Sequence, residues 1–361
     1  MKSKIKIIMI SALLFSLFPV FGYSMKVTFF LGTSTLTRNG KTINLQVGDV
    51  VSNGDIIKTA KNGVVELLYD DTSKITIKGN TIVQIGSKNV KDSGDVAVIS
   101  GEVNGKFVKL KKGEHKLGTP TTICGVRGTE FTIGVSKGGD SKVDLKEGKL
   151  DVRNPYGKVE LNEGFSAEAD VAGEPVSGEI EGNIGEWQNA RDESLNDDIE
   201  IQADKYETHI NNFGEESETS AKELTDLSES TKKAATKEDL ALSGDRIINS
   251  ESKIEEDMLM SEASKSSIEN LREDYGSKNA KIKEKFQTIA KKCNKVQEQQ
   301  MKNYQAIQKV KEEYKKAYDN IMNKYKDDKT KIFKNLEEYK KTSPLKKDEP
   351  KVEPKEDSIE E

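Results

Sequence analysis

Cysteine and histidine are scarce in this chain of 361 residues, which has two of each: Cys124, Cys293, His115 and His209. Two cysteines in separate halves cannot build a disulfide framework, so folding rests on packing and hydrogen bonds. Neither histidine stands at metal-ligand spacing to a cysteine, and the sequence calls for no metal and no other cofactor. Cys124 reads as a buried, inert thiol. Catalytic signatures are missing too: there is no Gly-x-Ser-x-Gly elbow, no His-Glu-x-x-His pair and no phosphate-cradling glycine loop ending in Lys-Ser/Thr. Acidic pairs such as Asp70/Asp71 fall in turns, where solvated carboxylates are the rule. The sequence assigns no catalytic residue and reads as non-enzymatic.

Long apolar runs are absent with one exception. Ile7 to Phe21 follows Lys2, Lys4 and Lys6 and precedes the small residues of Gly22-Tyr23-Ser24. That run of about 15 residues falls short of the roughly 20 that a spanning helix needs. Residues 1–24 therefore read as a cleavable export signal, which places the mature chain beyond the inner membrane, with the periplasm as the expected compartment.

Glycine nearly disappears after Gly185; only Gly214, Gly244 and Gly276 of the 28 follow it, and no proline lies between Pro175 and Pro344. The first half is rich in turns and the second lacks helix breakers. The expected fold is α+β: an all-β domain over 25–178, a long helical, coiled-coil-prone region over 179–342, and a disordered charged tail over 343–361. In the β half, short runs of β-branched and aromatic residues alternate with turns: 64–69, 75–77, 81–85, 106–110, 131–135, 143–145, 149–152 and 159–161. Sandwich and solenoid both fit this spacing.

Thr119-Pro-Thr-Thr-Ile-Cys-Gly-Val-Arg-Gly-Thr-Glu-Phe131 stands out within this half. It resembles the signature of the FecR domain family, in which such a segment closes one set of strands and opens the next. The similarity extends from about Lys26 to Ala169, through Leu45-Gln-Val-Gly-Asp-Val50, Asn53-Gly-Asp-Ile-Ile-Lys-Thr59 and Leu145-Lys-Glu-Gly-Lys-Leu-Asp-Val152. One local departure is Asp70-Asp-Thr-Ser73, where the family usually has Asp-Gly-Ser. A larger one is the expected signal peptide in place of a cytoplasmic helical domain and membrane span, so the family's sigma-regulator role is not carried over. What the resemblance implies is an exported binding or signalling module. Its motif residues Gly125, Arg127, Gly128, Thr129 and Phe131 are mainly structural, and Arg127 is the candidate contact for an acidic partner, with Glu130 as its candidate local carboxylate.

In the second half Ile184, Trp187, Leu195, Ile199, Ala203, Tyr206, Ile210 and Phe213 mark one face of a helix expected to stop near Gly214. Trp187 is expected to pack this helix onto the β domain. A near-heptad stripe runs from Ile282 to Tyr339, interrupted by Gln300, Asn303 and Asp328, which suits a modest coiled coil or a helical hairpin. The thin apolar stripe between 215 and 265 leaves partial disorder open. Charge is segregated: residues 179–275 hold 27 Asp/Glu against 10 Lys/Arg, and 276–361 hold 16 against 23. Opposite signs favour successive helices folding on each other or pairing between chains. Nucleic acid is a poor fit, because the lysines are interleaved with acids. The expected partners are a protein of the cell envelope and a second copy of the chain through the helices. The alternative is a structural tether gripping peptidoglycan or an outer-membrane protein.

Overall fold

The computed structural model describes residues 25–342 except 70, 89, 91–94, 110–113 and 278. The expected export signal over 1–24, Asp70 and the expected tail from Ser343 lie outside the described residues.

Seventeen strands form two layers. In one, the spatial order is β4 (Val50–Val51), β1 (Met25–Leu31), β6 (Val64–Tyr69), β7 (Lys74–Ile77), the second half of β9 (Val96–Lys106), β12 (Glu130–Val135), β13 (Ser141–Glu147), β16 (Phe165–Ala169) and β17 (Val176–Glu179). The other runs β3 (Lys41–Asn44), β2 (Ser34–Arg38), β5 (Ile56–Thr59), β8 (Ile82–Ile85), the first half of β9, β10 (His115–Gly118), β11 (Ile123–Val126), β14 (Lys149–Asn154) and β15 (Gly157–Asn162). After β4 the strands are added to the two layers in chain order. The domain is thus a two-layer sandwich that grows with the progression of a solenoid. Every pairing is antiparallel except that of β9 with β10.

Alternation explains the layers. In β6, Val65, Leu67 and Tyr69 point inward and Val64, Glu66 and Leu68 outward. The inward three share one core with Ile75, Phe131 and Val143 of the same layer and with Ile57, Val98 and Leu117 of the other. The strand expected over 106–110 is instead the end of the eleven-residue β9, which stops at Lys106. Ser100-Gly101 in its middle resembles a turn. Gly101 takes φ +98° where β9 crosses from one layer to the other, and a Cβ there would lie 2.4 Å from the Thr81 hydroxyl.

Three helices follow: α1 (Ile184–Lys233), α2 (Lys237–Gly276) and α3 (Ala280–Thr342). Each start has a cap. Asn183 Oδ1 accepts from Glu186 N (2.8 Å), Thr236 Oγ1 from Asp239 N (3.1 Å) and Asn279 Oδ1 from Ile282 N (3.3 Å). The Asp239 carboxylate returns a bond to Thr236 N (3.0 Å) and completes a capping box. Contrary to expectation, α1 runs through Gly214. A mid-helix glycine costs only about 1 kcal/mol, and burial of Phe213 and Ser217 on either side holds the helix there.

The described residues divide into two compact units: 25–225 with 248–308, and 226–247 with 309–342. In the first, Leu195, Ala203, Tyr206, Ile210 and Phe213 of α1 join Leu259, Met260 and Ile268 of α2 and Ile282, Phe286 and Cys293 of α3. Ala97, Ile123 and Val171 of the sandwich belong to the same cluster. The front of the α3 stripe is therefore covered by this shared core. Acidic α1 pairs with basic α3 through Glu200–Lys281 (3.2 Å) and Asp204–Lys285 (2.6 Å), as the charge segregation suggested. Trp187 is half-buried and holds the sandwich by its indole N–H, which donates to Glu168 (2.9 Å). The apolar contact comes from Ile184, whose methyl lies over Gly134. In the second unit Leu227, Leu240, Ile247, Val310 and Ile321 are buried, and Lys232 pairs with Glu313 (3.1 Å).

Candidate interaction site

The segment 119–131 has two ends of opposite character. Its first part, Thr119–Thr122, is a buried turn between β10 and β11. Thr119 N donates to Thr122 O (2.8 Å), and Thr119 Oγ1 accepts from the amides of Thr121 (3.1 Å) and Thr122 (2.9 Å). The Thr121 hydroxyl donates to Ser141 Oγ (2.7 Å). Pro120 brings no N–H to this turn, and its carbonyl takes two donors: His209 Nε2 of α1 (2.9 Å) and Ser264 Oγ of α2 (2.9 Å). Because that carbonyl only accepts, His209 carries its proton on Nε2, and Tyr156 O–H donates to Nδ1 (3.2 Å). Burial pushes the imidazole down to about 4, so it stays neutral.

A second attachment lies beside it. Arg153 of β14 forks onto Glu256 of α2, Nε to Oε2 at 2.9 Å and Nη2 to Oε1 at 2.8 Å, and also reaches Glu114 (3.0 Å). The Lys116 ammonium, nearly buried, lies 3.3 Å from the same Glu256 and 2.9 Å from Ser252 Oγ. Burial raises the Glu256 carboxyl, but the two cations more than offset it and hold it below the usual range. Replacing Arg153 by alanine should cost about 2–3 kcal/mol. That is less than a fully buried pair would lose, because the guanidinium is 23% exposed. Urea denaturation measures it, and a loss under about 0.5 kcal/mol would show the fork to be incidental.

The far end of the segment, about 16 Å along β11, emerges at the surface. Arg127 is exposed and forms no hydrogen bond or ion pair among the described residues. Its expected local partner, Glu130, is taken by Lys106 (2.7 Å), which holds that carboxyl below its usual range. Gly128 has φ +70°, and a Cβ on the adjoining Gly148 would stand 2.5 Å from its carbonyl, so two turns lie back to back. Gly125 faces the Glu114 carboxylate, 2.6 Å from where a Cβ would be. Thr129 is buried, its hydroxyl without a partner among the described residues. Phe131 is fully buried and belongs to the core. Arg127, Lys109, Glu114 and Lys149 border an open cleft of about 560 Å³. Lys149 is spent on Glu160 and Glu114 on Arg153, whereas Arg127 and Lys109 have no ion pair among the described residues. What this rim offers is two cations suited to carboxylates.

Residues 55–151 match the model of the family described as FecR protein. This stretch is a FecR domain. It covers β5 through the first half of β14 and contains the whole segment above; here the sandwich continues beyond it on both sides. Two crystal structures of a proposed anti-sigma factor from Parabacteroides distasonis ATCC 8503, at 1.65 and 2.50 Å, are similar to this chain. Each is 15% identical, with a TM-score of 0.31, over 35% of this chain and 60% of that one. The match thus spans less than two thirds of that protein's length. Comparison with curated proteins gives no match. No helix among the described residues is long and apolar enough to cross a membrane.

Sequence reasoning reached the FecR segment but missed what covers it. His209 and Ser264 lie 89 and 144 residues from Pro120, and only tertiary packing brings them there. Cys124 and Cys293 are both buried free thiols, each pushed up to about 12 by burial, which keeps them protonated and unreactive.

Proposed function

We propose that this protein is a non-enzymatic, exported binding and signalling module. In this reading the FecR sandwich, residues 25–178, receives an acidic segment of an envelope protein at Arg127 and Lys109. The helices of 179–342 serve as an arm for assembly or for docking a second partner. The FecR match supports a regulatory role, and the observation that carries the site is Arg127 within the family segment, exposed and without an ion pair among the described residues. A cation held ready by two glycine turns, while the neighbouring carboxylates are engaged elsewhere, suits a charge from another molecule.

The test is a photo-crosslinking side chain placed next to Arg127 in cells, with and without Arg127→Glu. Charge reversal should lower the crosslinked partner about tenfold, equivalent to about 1.4 kcal/mol. Thermal stability should stay unchanged, because the side chain is exposed and has no hydrogen bond or ion pair among the described residues. Equal crosslinking by both forms would remove the site. Retention on purified peptidoglycan, lost in the variant, would favour the tether reading instead. Export is checked by the mature N-terminus, expected at Met25.

A further inference from the structure

A cavity of about 280 Å³ lies where the end of β14 meets α1 and α2. Ile123, Pro155 and Met260 give it an apolar part. The charges that line the rest do not balance. Two cations, Arg153 and Lys253, face three carboxylates, Glu216 of α1 and Glu256 and Asp257 of α2. Glu256 is served by the Arg153 fork and by Lys116 of β10. That leaves the half-exposed Lys253 for the other two, with its ammonium 3.4 Å from Glu216 Oε1 and 3.9 Å from Asp257 Oδ2.

One shared lysine satisfies neither. Glu216 Oε2 is buried with no hydrogen-bond partner among the described residues. Asp257 is only 7% exposed, and its carboxyl accepts no hydrogen bond among the described residues; Gln300 of α3, a neutral group, donates to its backbone carbonyl instead (3.2 Å). Burial pushes the Asp257 carboxyl up to about 7, with Lys253 and Lys116 opposing the rise and Glu216 and Glu256 adding to it. A water molecule in the cavity would supply hydrogen bonds but not the missing charge. No group of three or more His, Cys, Asp or Glu among the described residues is placed to hold a metal ion, so the cation that suits the cavity is organic. An ammonium brings one positive charge and three N–H donors.

We propose that this cavity binds a small primary ammonium group, with Asp257 and Glu216 taking its charged head and Ile123, Pro155 and Met260 its alkyl stem. The volume lies near the lower end of small-ligand sites, which matches a short stem. The site is separate from the Arg127 rim and stands whether or not that rim receives a partner. Its walls come from the sandwich, α1 and α2, so an occupant touches all three.

The experiment is a titration of ¹⁵N-labelled protein carrying residues 25–361 with n-butylammonium at constant ionic strength, followed by amide chemical shifts, beside the neutral 1-butanol. The ammonium should saturate shifts in α2 around residues 249–260, and the alcohol should bind about tenfold more weakly or less. Asp257→Asn should weaken the ammonium about tenfold and Glu216→Gln several-fold; both are close in shape to the native side chains, and far-UV spectra check their fold. From pH 7 to pH 6 the wild-type affinity should fall about fivefold as Asp257 takes up a proton, and that of Asp257→Asn should stay level. Nα-acetyl-lysine amide carries the same ammonium and stem on a peptide. Its binding would assign the cation to a lysine of a partner protein, and its exclusion to a free amine. Equal binding of 1-butanol and n-butylammonium, or equal affinity of wild type and both variants, would overturn the site. So would the absence of saturable shifts in α2. A wild type indifferent to pH would remove Asp257 from it.

Discussion

Replacing Phe131 by alanine should destabilise the protein by about 3–5 kcal/mol, among the largest losses for any single side chain here. The ring is fully buried, stacks on Phe107 with centroids 5.8 Å apart, and lies directly over Gly105, its cross-strand neighbour. A Cβ on Gly105 would stand 2.3 Å from the ring edge, so the missing side chain on β9 is the space that the phenylalanine fills. Two layers pinned by antiparallel ladders cannot close over the hole, and the cavity persists. Gly105→Ala should also destabilise, through overlap, and combining the two changes should cost less than their sum. Urea midpoints of the three variants decide this. A loss below about 1 kcal/mol for Phe131→Ala would show that the sandwich can collapse. The aromatic at the end of the signature segment is thus a packing residue, and partner binding by the folded variant should be unimpaired.

Acidification should weaken the attachment of the helices through His209. The unfolded chain binds a proton near 6.5, and the folded chain refuses it until about 4. Between those values the unfolded state holds more protons, so the contribution is complete above 6.5 and is lost as pH falls through 4. The difference amounts to roughly 3 kcal/mol. Carboxyls at the same junction act with the opposite sign. Burial raises Asp140 and Glu262 and pushes Asp257 up to about 7, so their contributions are present at low pH and are lost as pH rises. The His209 part is isolated by comparison with His209→Gln, whose amide can still donate to Pro120 O. Across pH 4 to 6.5 the wild type should lose stability more steeply than the variant, by up to about 1.4 kcal/mol per pH unit. Parallel curves would mean that the imidazole is hydrated.

Much of the sandwich was legible because its strands obey a local rule. Val64–Tyr69 alternates inward and outward with hydrophobic residues at every inward position, and Gly-rich punctuation marks the ends. The crossing at Gly101 was not legible, since a glycine in mid-strand and a glycine in a turn look alike until the layers are known. The α1 face was legible from steps of three and four, but its length was not. A lone glycine at 214 is a weak stop when buried Phe213 and Ser217 hold the helix on both sides. Trp187 was singled out for its size, yet Ile184 makes the apolar contact because Gly134 leaves room for it.

By itself the sequence determined the FecR segment, the division into β and helical halves, and the opposite charges that draw α1 and α3 together. These follow from periodicity, turn chemistry and composition, which act over a few residues or sum along the chain. Only the tertiary structure decided that the helices share a core with the sandwich, that Pro120 is capped by His209 and Ser264, and that Glu130 goes to Lys106, which leaves Arg127 without an ion pair among the described residues. Those outcomes depend on which groups win a partner across 24 to 144 residues of chain. That competition is settled by burial and geometry, and it leaves no local pattern to read.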